Sequence, residues 1–207
     1  MRDTLSSIVG LVGGVTLSVT FWYVTRHVLV PKVEFSQKIS KRFAADGTAA
    51  YEFQLRNRSR YRGVVDVQFT AKLVSSNVAM WNYWKGDGRI GAPIPMEIRD
   101  VPFLSRKDGF RIIRLDLQQF FETVSSHYRR ALVLENLNIN SPELLESLLK
   151  VGDDTFLILE ALAYDSWSGS RKYYRSPAYR IDDIVNGRFT KEMSVTPFLK
   201  PENEPIE

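Results

Sequence analysis

Two stretches of the chain alternate apolar and polar residues with a period of two. In the first, Tyr51, Phe53 and Leu55 alternate with polar residues. In the second, the apolar positions are Val65, Val67, Phe69, Ala71 and Leu73. Successive side chains of a β-strand point to opposite faces, so this period predicts two half-buried strands. The polar segment between them, "RNRSRYRG", predicts a loop that lets the two strands pair antiparallel.

Further short apolar runs extend this pattern along the chain. The additional predicted strands are residues 110–115, 130–134, 155–164, 172–175 and 193–196. "YDSWSGSRKYY" places a Ser-Gly turn between two aromatic-rich runs, which indicates a hairpin. About seven short strands with few helices predict a mainly β fold, a β-sandwich, rather than a doubly wound α/β sheet.

Two short helices are predicted beside these strands. In "NSPELLESLLK", Ser141 is the candidate N-cap and Pro142 occupies the first helical position. In "DLQQFFETVSSHYRR", Asp116 is the candidate cap, with Phe120, Phe121 and Val124 facing inward.

The N-terminal segment has a different character. Residues 5–24 contain no ionisable side chain except the phenol of Tyr23. Twenty helical residues reach about 30 Å, the thickness of a bilayer core. We therefore expect residues 1–30 to form a single transmembrane anchor helix. A cleaved signal peptide is the alternative, disfavoured because Arg2 is next to Asp3 and no small-residue cleavage site follows.

The charges around this segment predict its orientation. Only Arg2 precedes it, whereas five basic residues follow: Arg26, Lys32, Lys38, Lys41 and Arg42. The positive-inside rule then places the C-terminal part in the cytoplasm. We expect a cytoplasmic β-sandwich domain over residues 31–198. The polar, proline-containing residues 199–207 form a mobile tail.

Two glycines in the apolar segment have the spacing of a helix-packing motif. Gly10 and Gly14 form G-x-x-x-G, which lets two membrane helices approach closely. This predicts self-association, although glycine is common in membrane helices.

The composition narrows the possible chemistry. The 207 residues include no cysteine and two histidines, so disulfides, thiolate catalysis and cysteine-ligated zinc are excluded. No group of residues suggests catalysis, and we expect a protein that is not an enzyme, without cofactor or metal. The net charge of +4 favours a membrane as partner over nucleic acid.

Two groups of residues are candidates for binding. Anionic lipid headgroups could contact a set of basic residues: Arg26, Lys32, Arg56, Arg58, Arg60 and Arg62. A solvated basic loop is the alternative for the last four. A set of aromatic residues is predicted to form the core or a protein interface: Trp81, Tyr83, Trp84, Trp167 and Tyr179.

The order of several short motifs resembles one known family. "VEFSQKIS", "YEFQLRNRSRYRGVVDVQFTAKLV", "IPMEIRDVP", "NINSPELL", "DTFLILEALAYDSWSGSRKYYRSPAY" and "VNGRF" follow one another as similar motifs do in the cytoplasmic domain of inward-rectifier potassium channels. The resemblance covers residues 33–195, with 118–131 looking like an insertion. It implies an immunoglobulin-like β-sandwich and a four-fold cytoplasmic assembly.

The chain departs from that family in its membrane part. It has one apolar segment and no Thr-x-Gly-Tyr/Phe-Gly filter, so it cannot form the pore alone. The family's basic run is thinned, since Val33 and Glu34 follow Lys32. The sequence therefore predicts a single-pass membrane protein that is a non-catalytic regulatory or scaffold subunit. It would act as a homo-oligomer, with four copies implied by the resemblance, or through a membrane-protein partner. The alternative is a membrane-surface module that binds anionic headgroups.

Overall fold

The computed structural model describes residues 2–25, 31–44, 47–59, 61–75, 90–106, 109–123, 141–150 and 154–198. Over these ranges the protein is mainly β. The helices are α1 (Arg2–Tyr23), α2 (Leu117–Thr123) and α3 (Leu144–Leu149), with a 3-10 turn at Ile181–Asp183. The strands are β1 (Val33–Phe35), β2 (Ile39–Phe43), β3 (Ala49–Asn57), β4 (Val64–Ser75), β5 (Ile90–Ile94), β6 (Asp100–Leu104), β7 (Phe110–Arg114), β8 (Phe156–Asp165), β9 (Arg171–Arg175), β10 (Ile184–Phe189) and β11 (Val195–Pro197).

The first sheet is built around β3. Strands β1 and β2 pair antiparallel with the two halves of β3, and β7 also pairs antiparallel with it. Strand β10 pairs parallel with β2, and the short β11 pairs antiparallel with β10.

The second sheet is built around β4. Strands β5 and β6 pair with the C-terminal and N-terminal halves of β4, and β8 pairs with most of its length. Strand β9 then pairs with β8 as the predicted hairpin. The two alternating stretches of the sequence, β3 and β4, thus lie in different sheets. The prediction that they pair with each other is wrong, because residues 58–63 carry the chain from one sheet to the other.

The predicted alternation holds along most of β4. Val67, Phe69, Ala71 and Leu73 are buried. Val65, predicted to lie on the same face, is out of phase because the pairing with β8 shifts between Val65 and Gln68. Asp66 has a φ of 50° at this bulge. An extra residue in one strand reverses the faces of those before it, so Val64 is buried in place of Val65.

Strand β3 is buried on both faces, which the alternation did not predict. Glu52 and Gln54 are as inaccessible as Tyr51 and Phe53. The Glu52 carboxylate accepts a hydrogen bond of 2.8 Å from Arg114 Nε on the neighbouring β7. Buried charges are tolerated when they are paired in this way, so ion pairing explains why Glu52 can occupy the central strand.

Both sheets contribute to one hydrophobic core. Phe53 and Leu55 of the first sheet share it with Phe69 and Leu159 of the second. A shared core between two antiparallel-rich sheets is consistent with a β-sandwich. The described side chains of α1 do not belong to this core, whose members begin at Val33.

The predicted short helices are present with adjusted boundaries. The Asp116 carboxylate accepts a hydrogen bond of 2.8 Å from the Gln119 N–H, and Phe120 and Phe121 are buried, so the first part of this prediction is confirmed. The rest of the predicted segment, residues 124–130 with Val124, lies outside the described residues. Helix α3 begins at Leu144 rather than at Pro142, which lies in the preceding turn.

Most of the later predicted strands are also present with adjusted boundaries. Residues 110–115, 155–164 and 172–175 match β7, β8 and β9 within one or two residues at each end, and residues 193–196 overlap β11. The predicted strand at 130–134 lies outside the described residues.

The N-terminal segment forms helix α1 over 22 residues. Its described side chains, from Gly10 to Val24, are all exposed. Among the residues that the structure describes, no helix has the length and apolar character required to cross a membrane, and the predicted transmembrane helix is not supported. Residues 199–207, predicted to be a tail, lie outside the described residues.

Candidate functional site

The chain that follows α1 joins the sheets at one end of the domain. The Tyr174 hydroxyl donates a hydrogen bond of 2.9 Å to the Pro31 carbonyl. The Arg58 N–H donates one of 2.8 Å to the Lys32 carbonyl. We call this the helix-proximal end and define it by residues 31–32, 57–59, 61–63, 104–106 and 166–171. It is where the N-terminal helix connects to the β-structure.

Asn57, the last residue of β3, organises this end. Its side-chain amide donates hydrogen bonds to the carbonyls of Arg62, at 2.9 Å, and Ser105, at 3.3 Å. Its side-chain oxygen accepts one of 3.0 Å from the Ser59 N–H. One buried amide therefore ties Ser59 and Arg62 to the residue that follows β6.

Arg62 lies inside this end rather than at its surface. Its side chain is 7% exposed and forms an ion pair of 2.6 Å with the Asp165 carboxylate of β8. The guanidinium carbon also lies 4.4 Å from the ring centroid of Trp167. A buried, paired arginine cannot bind a lipid headgroup, so the prediction for Arg62 is corrected to a structural role.

The pKa of Asp165 reflects this pairing. Burial alone would raise the pKa of this carboxyl. Hydrogen bonds from the Ser168 hydroxyl, the Trp167 N–H and Arg62 outweigh burial and hold the pKa below its usual value. Asp165 is therefore a charged residue that closes the β8–β9 turn.

Two aromatic side chains project from the helix-proximal end. Tyr61 is 69% exposed and Trp167 is 66% exposed. Trp167 was predicted as an interface residue, and its exposure leaves it accessible for that role. Tyr61 was not among the predicted residues, because an aromatic residue in a polar loop carries no periodic signal.

Exposed cations accompany these aromatic residues. Lys32 is exposed, and Arg58 pairs with Glu34 at 2.8 Å on the surface. Arg106 and Arg171 are also exposed at this end. Arg106 and Arg171 were not predicted from the sequence. They are distant along the chain from residues 57–63, and only strand pairing brings them near.

Three predicted lipid-contact residues remain: Arg26, Arg56 and Arg60. Arg56 is partly buried and donates a hydrogen bond of 3.4 Å to the Lys191 carbonyl. Arg26 and Arg60 lie outside the described residues, as do Trp81, Tyr83 and Trp84.

Tyr179 is a core residue rather than an interface residue. Its side chain is fully buried, its ring lies 5.2 Å from that of Phe53, and its hydroxyl donates a hydrogen bond to the Ser36 carbonyl. Burial raises the pKa of this phenol, so it stays protonated as a donor.

The two glycines of the helix motif lie on an open surface. A methyl group added at Gly10 or Gly14 would meet no atom within 4 Å. Their predicted role in helix association stays a prediction.

A second polar cluster, not predicted from the sequence, lies between β2, β3 and α3. The Lys41 ammonium forms an ion pair of 2.5 Å with Glu146 of α3. The Tyr51 hydroxyl donates to the same carboxylate. Burial, followed by this carboxylate, raises the pKa of Tyr51. The cluster attaches α3 to the first sheet and presents no open face for a reactant.

In the part of the chain that the structure describes, no three histidine or acidic side chains are placed so that they could hold a metal ion. Taken together, the fold and this end of it define a mainly β module that is preceded by helix α1. No family model and no curated protein sequence matches the chain.

Proposed function

We propose that this chain is a non-catalytic module whose apolar helix α1 attaches a β-sandwich domain to a lipid membrane. The observation that carries the proposal is the exposure of the large apolar side chains of α1. Leu11 and Leu17 are 72% and 73% exposed, and six more are similarly accessible: Val12, Val15, Val19, Phe21, Trp22 and Tyr23. Each such side chain gains about 1.5–3 kcal/mol when it leaves water, so α1 favours an apolar environment.

A bilayer fits this helix better than a single protein groove does. An α-helix turns 100° per residue, so Leu17 and Val19 project roughly 200° apart. One groove covers one side of a helix, whereas lipid can cover more of the helix circumference without α1 having to cross the bilayer. Apolar side chains on opposite sides therefore favour lipid as the partner of α1.

The position, the fold type and the role of the domain are proposed from the sequence analysis. The basic residues after α1, among them Lys32, favour a cytoplasmic position for the domain. The two-sheet core agrees with the immunoglobulin-like sandwich that the resemblance to inward-rectifier cytoplasmic domains implies. The protein then acts as a regulatory or scaffold subunit, by assembling with copies of itself or with a membrane protein.

Vesicle flotation tests the membrane attachment. We expect the full chain to float with vesicles, and the variant Leu11→Asp/Leu17→Asp to stay in the dense fraction, because two buried carboxylates oppose insertion. The matched control is Ile98→Asp/Ile112→Asp, which replaces two exposed apolar residues of the β-domain. Flotation of the α1 variant to the same extent as wild type would contradict the proposal.

The mass of the full chain in detergent tests the assembly. The proposal predicts an oligomer, with four copies as the expectation from the resemblance. Gly10→Ile/Gly14→Ile should weaken it if the helices pack through these glycines, and the open space around them leaves the fold of one copy unchanged. A monomer that also captures no membrane protein would contradict this part of the proposal.

A further inference from the structure

We infer that the helix-proximal end is itself a membrane-binding surface, with Tyr61 and Trp167 inserted into the interfacial region of an anionic bilayer. The inference rests on the proposed attachment through α1 and names the surface of the β-domain that then faces the lipid.

The length of the connecting chain places this end close to the helix. Five residues, 26–30, separate the last described residue of the helical segment, Thr25, from Pro31. Six steps of extended chain span at most about 20 Å. Pro31 is fixed to the domain by Tyr174, so a bilayer that holds α1 must lie near this end.

The two aromatic residues suit the polar–apolar boundary of a bilayer. Tyrosine and tryptophan combine an apolar ring with a polar group, and both are enriched at membrane interfaces. Trp167 is supported from beneath by the guanidinium of Arg62, which the buried Asp165 holds in place. An exposed ring on a fixed base loses little conformational freedom when it enters lipid.

The charges favour an anionic surface over a neutral one. Lys32, Arg106 and Arg171 are exposed at this end, while its buried acidic residue, Asp165, is paired. At this end Glu34 is paired with Arg58, and Asp66 is exposed on β4 just beyond the loop. Glu122 on α2, which packs near β5, and Asp154 before β8 are exposed at the opposite end. The excess of exposed cations at the helix-proximal end attracts it to anionic headgroups.

The sequence contains no cysteine, so a cysteine introduced by mutation is the single site at which a label attaches. We would place one spin label at a time on the full chain through Tyr61→Cys and Trp167→Cys, with Glu122→Cys as the control at the opposite end. With phosphatidylcholine–phosphatidylserine vesicles, accessibility to oxygen relative to a water-soluble nickel chelate should rise at 61 and 167 and stay constant at 122. The unlabelled Arg171→Gln variant should bind these vesicles roughly fivefold more weakly, the effect of one cation near an anionic surface.

The outcomes separate this inference from the proposed function. If the chain floats with vesicles but the labels at 61 and 167 behave like the label at 122, the inference is overturned and attachment through α1 stands. If the labels become immobile without gaining access to oxygen, the surface binds another copy of the chain and the inference is again overturned. If the chain does not float, the proposed function itself fails.

Discussion

The Tyr179 hydroxyl donates a hydrogen bond of 2.5 Å to the Ser36 carbonyl, and this contact joins the two sheets. Ser36 directly follows β1 of the first sheet. Tyr179 exchanges two backbone hydrogen bonds of 2.9 Å with Leu157 of β8, in the second sheet. One side chain therefore spans the core and fixes the position of one sheet relative to the other.

Tyr179→Phe removes this bond and keeps the ring. It leaves a buried carbonyl without its phenol donor, so we expect a loss of about 1–3 kcal/mol in the free energy of unfolding. Urea denaturation measures it, with Tyr61→Phe, an exposed position, as the matched control at below about 0.5 kcal/mol. Equal effects of the two substitutions would show that the inter-sheet bond does not stabilise the fold.

The two arginine ion pairs near the 57–63 loop should differ sharply in their contribution. Arg62→Met leaves Asp165 charged and buried, so we expect a loss of about 3–5 kcal/mol in the free energy of unfolding. Arg58→Met breaks only the exposed pair with Glu34 and should cost less than about 1 kcal/mol. A small effect of Arg62→Met in chemical denaturation would mean that Arg62 is not the structural residue described above.

Asp165 should contribute to the pH dependence of stability. Its pKa is lowered in the folded state, so its contribution is fully present above the unfolded value of 3.8 and is lost as the pH falls through the lower folded value. The difference in unfolding free energy between wild type and Asp165→Asn should be constant above about pH 5 and shrink below about pH 4. A difference that stays constant across the acid range would contradict the assigned pairing.

Gly187 should resist substitution because another strand lies against it. A methyl group at this position would come within 2.1 Å of the Thr196 carbonyl oxygen on β11. Gly187→Ala must displace backbone, and we expect it to cost about 1–3 kcal/mol in the free energy of unfolding. Gly14→Ala, whose methyl group meets open space, is the control and should leave the unfolding of the β-domain unchanged. An equally mild effect at both positions would argue against the β10–β11 pairing.

Local patterns were sufficient to predict much of the secondary structure. Alternation identified β3 and β4, and the apolar run at 155–164 identified β8. Asp116 with the two phenylalanines behind it identified α2. These elements could be predicted because the period of a strand or a helix is visible in residues that are close together in the sequence.

The partners of these elements could not be predicted in the same way. Alternation is identical whether β3 pairs with β4 or lies in another sheet, so the sheet assignment depends on long-range packing. Nothing local distinguishes Arg62 from Arg58, although one is buried and the other exposed. The difference arises because Asp165, 103 positions away, lies opposite the first. The sequence therefore predicted that the arginines from 56 to 62 are candidates for binding. It could not predict which of their side chains are exposed.

The most direct test of membrane attachment is hydrogen–deuterium exchange of the full chain with and without anionic vesicles. We predict that vesicles slow amide exchange in α1, in residues 57–63 and in residues 166–171, and leave α2 unchanged. Slower exchange in α1 alone would support attachment through the helix and contradict the proposed surface. Unchanged exchange throughout α1 would contradict the central claim that this helix holds the domain at a membrane.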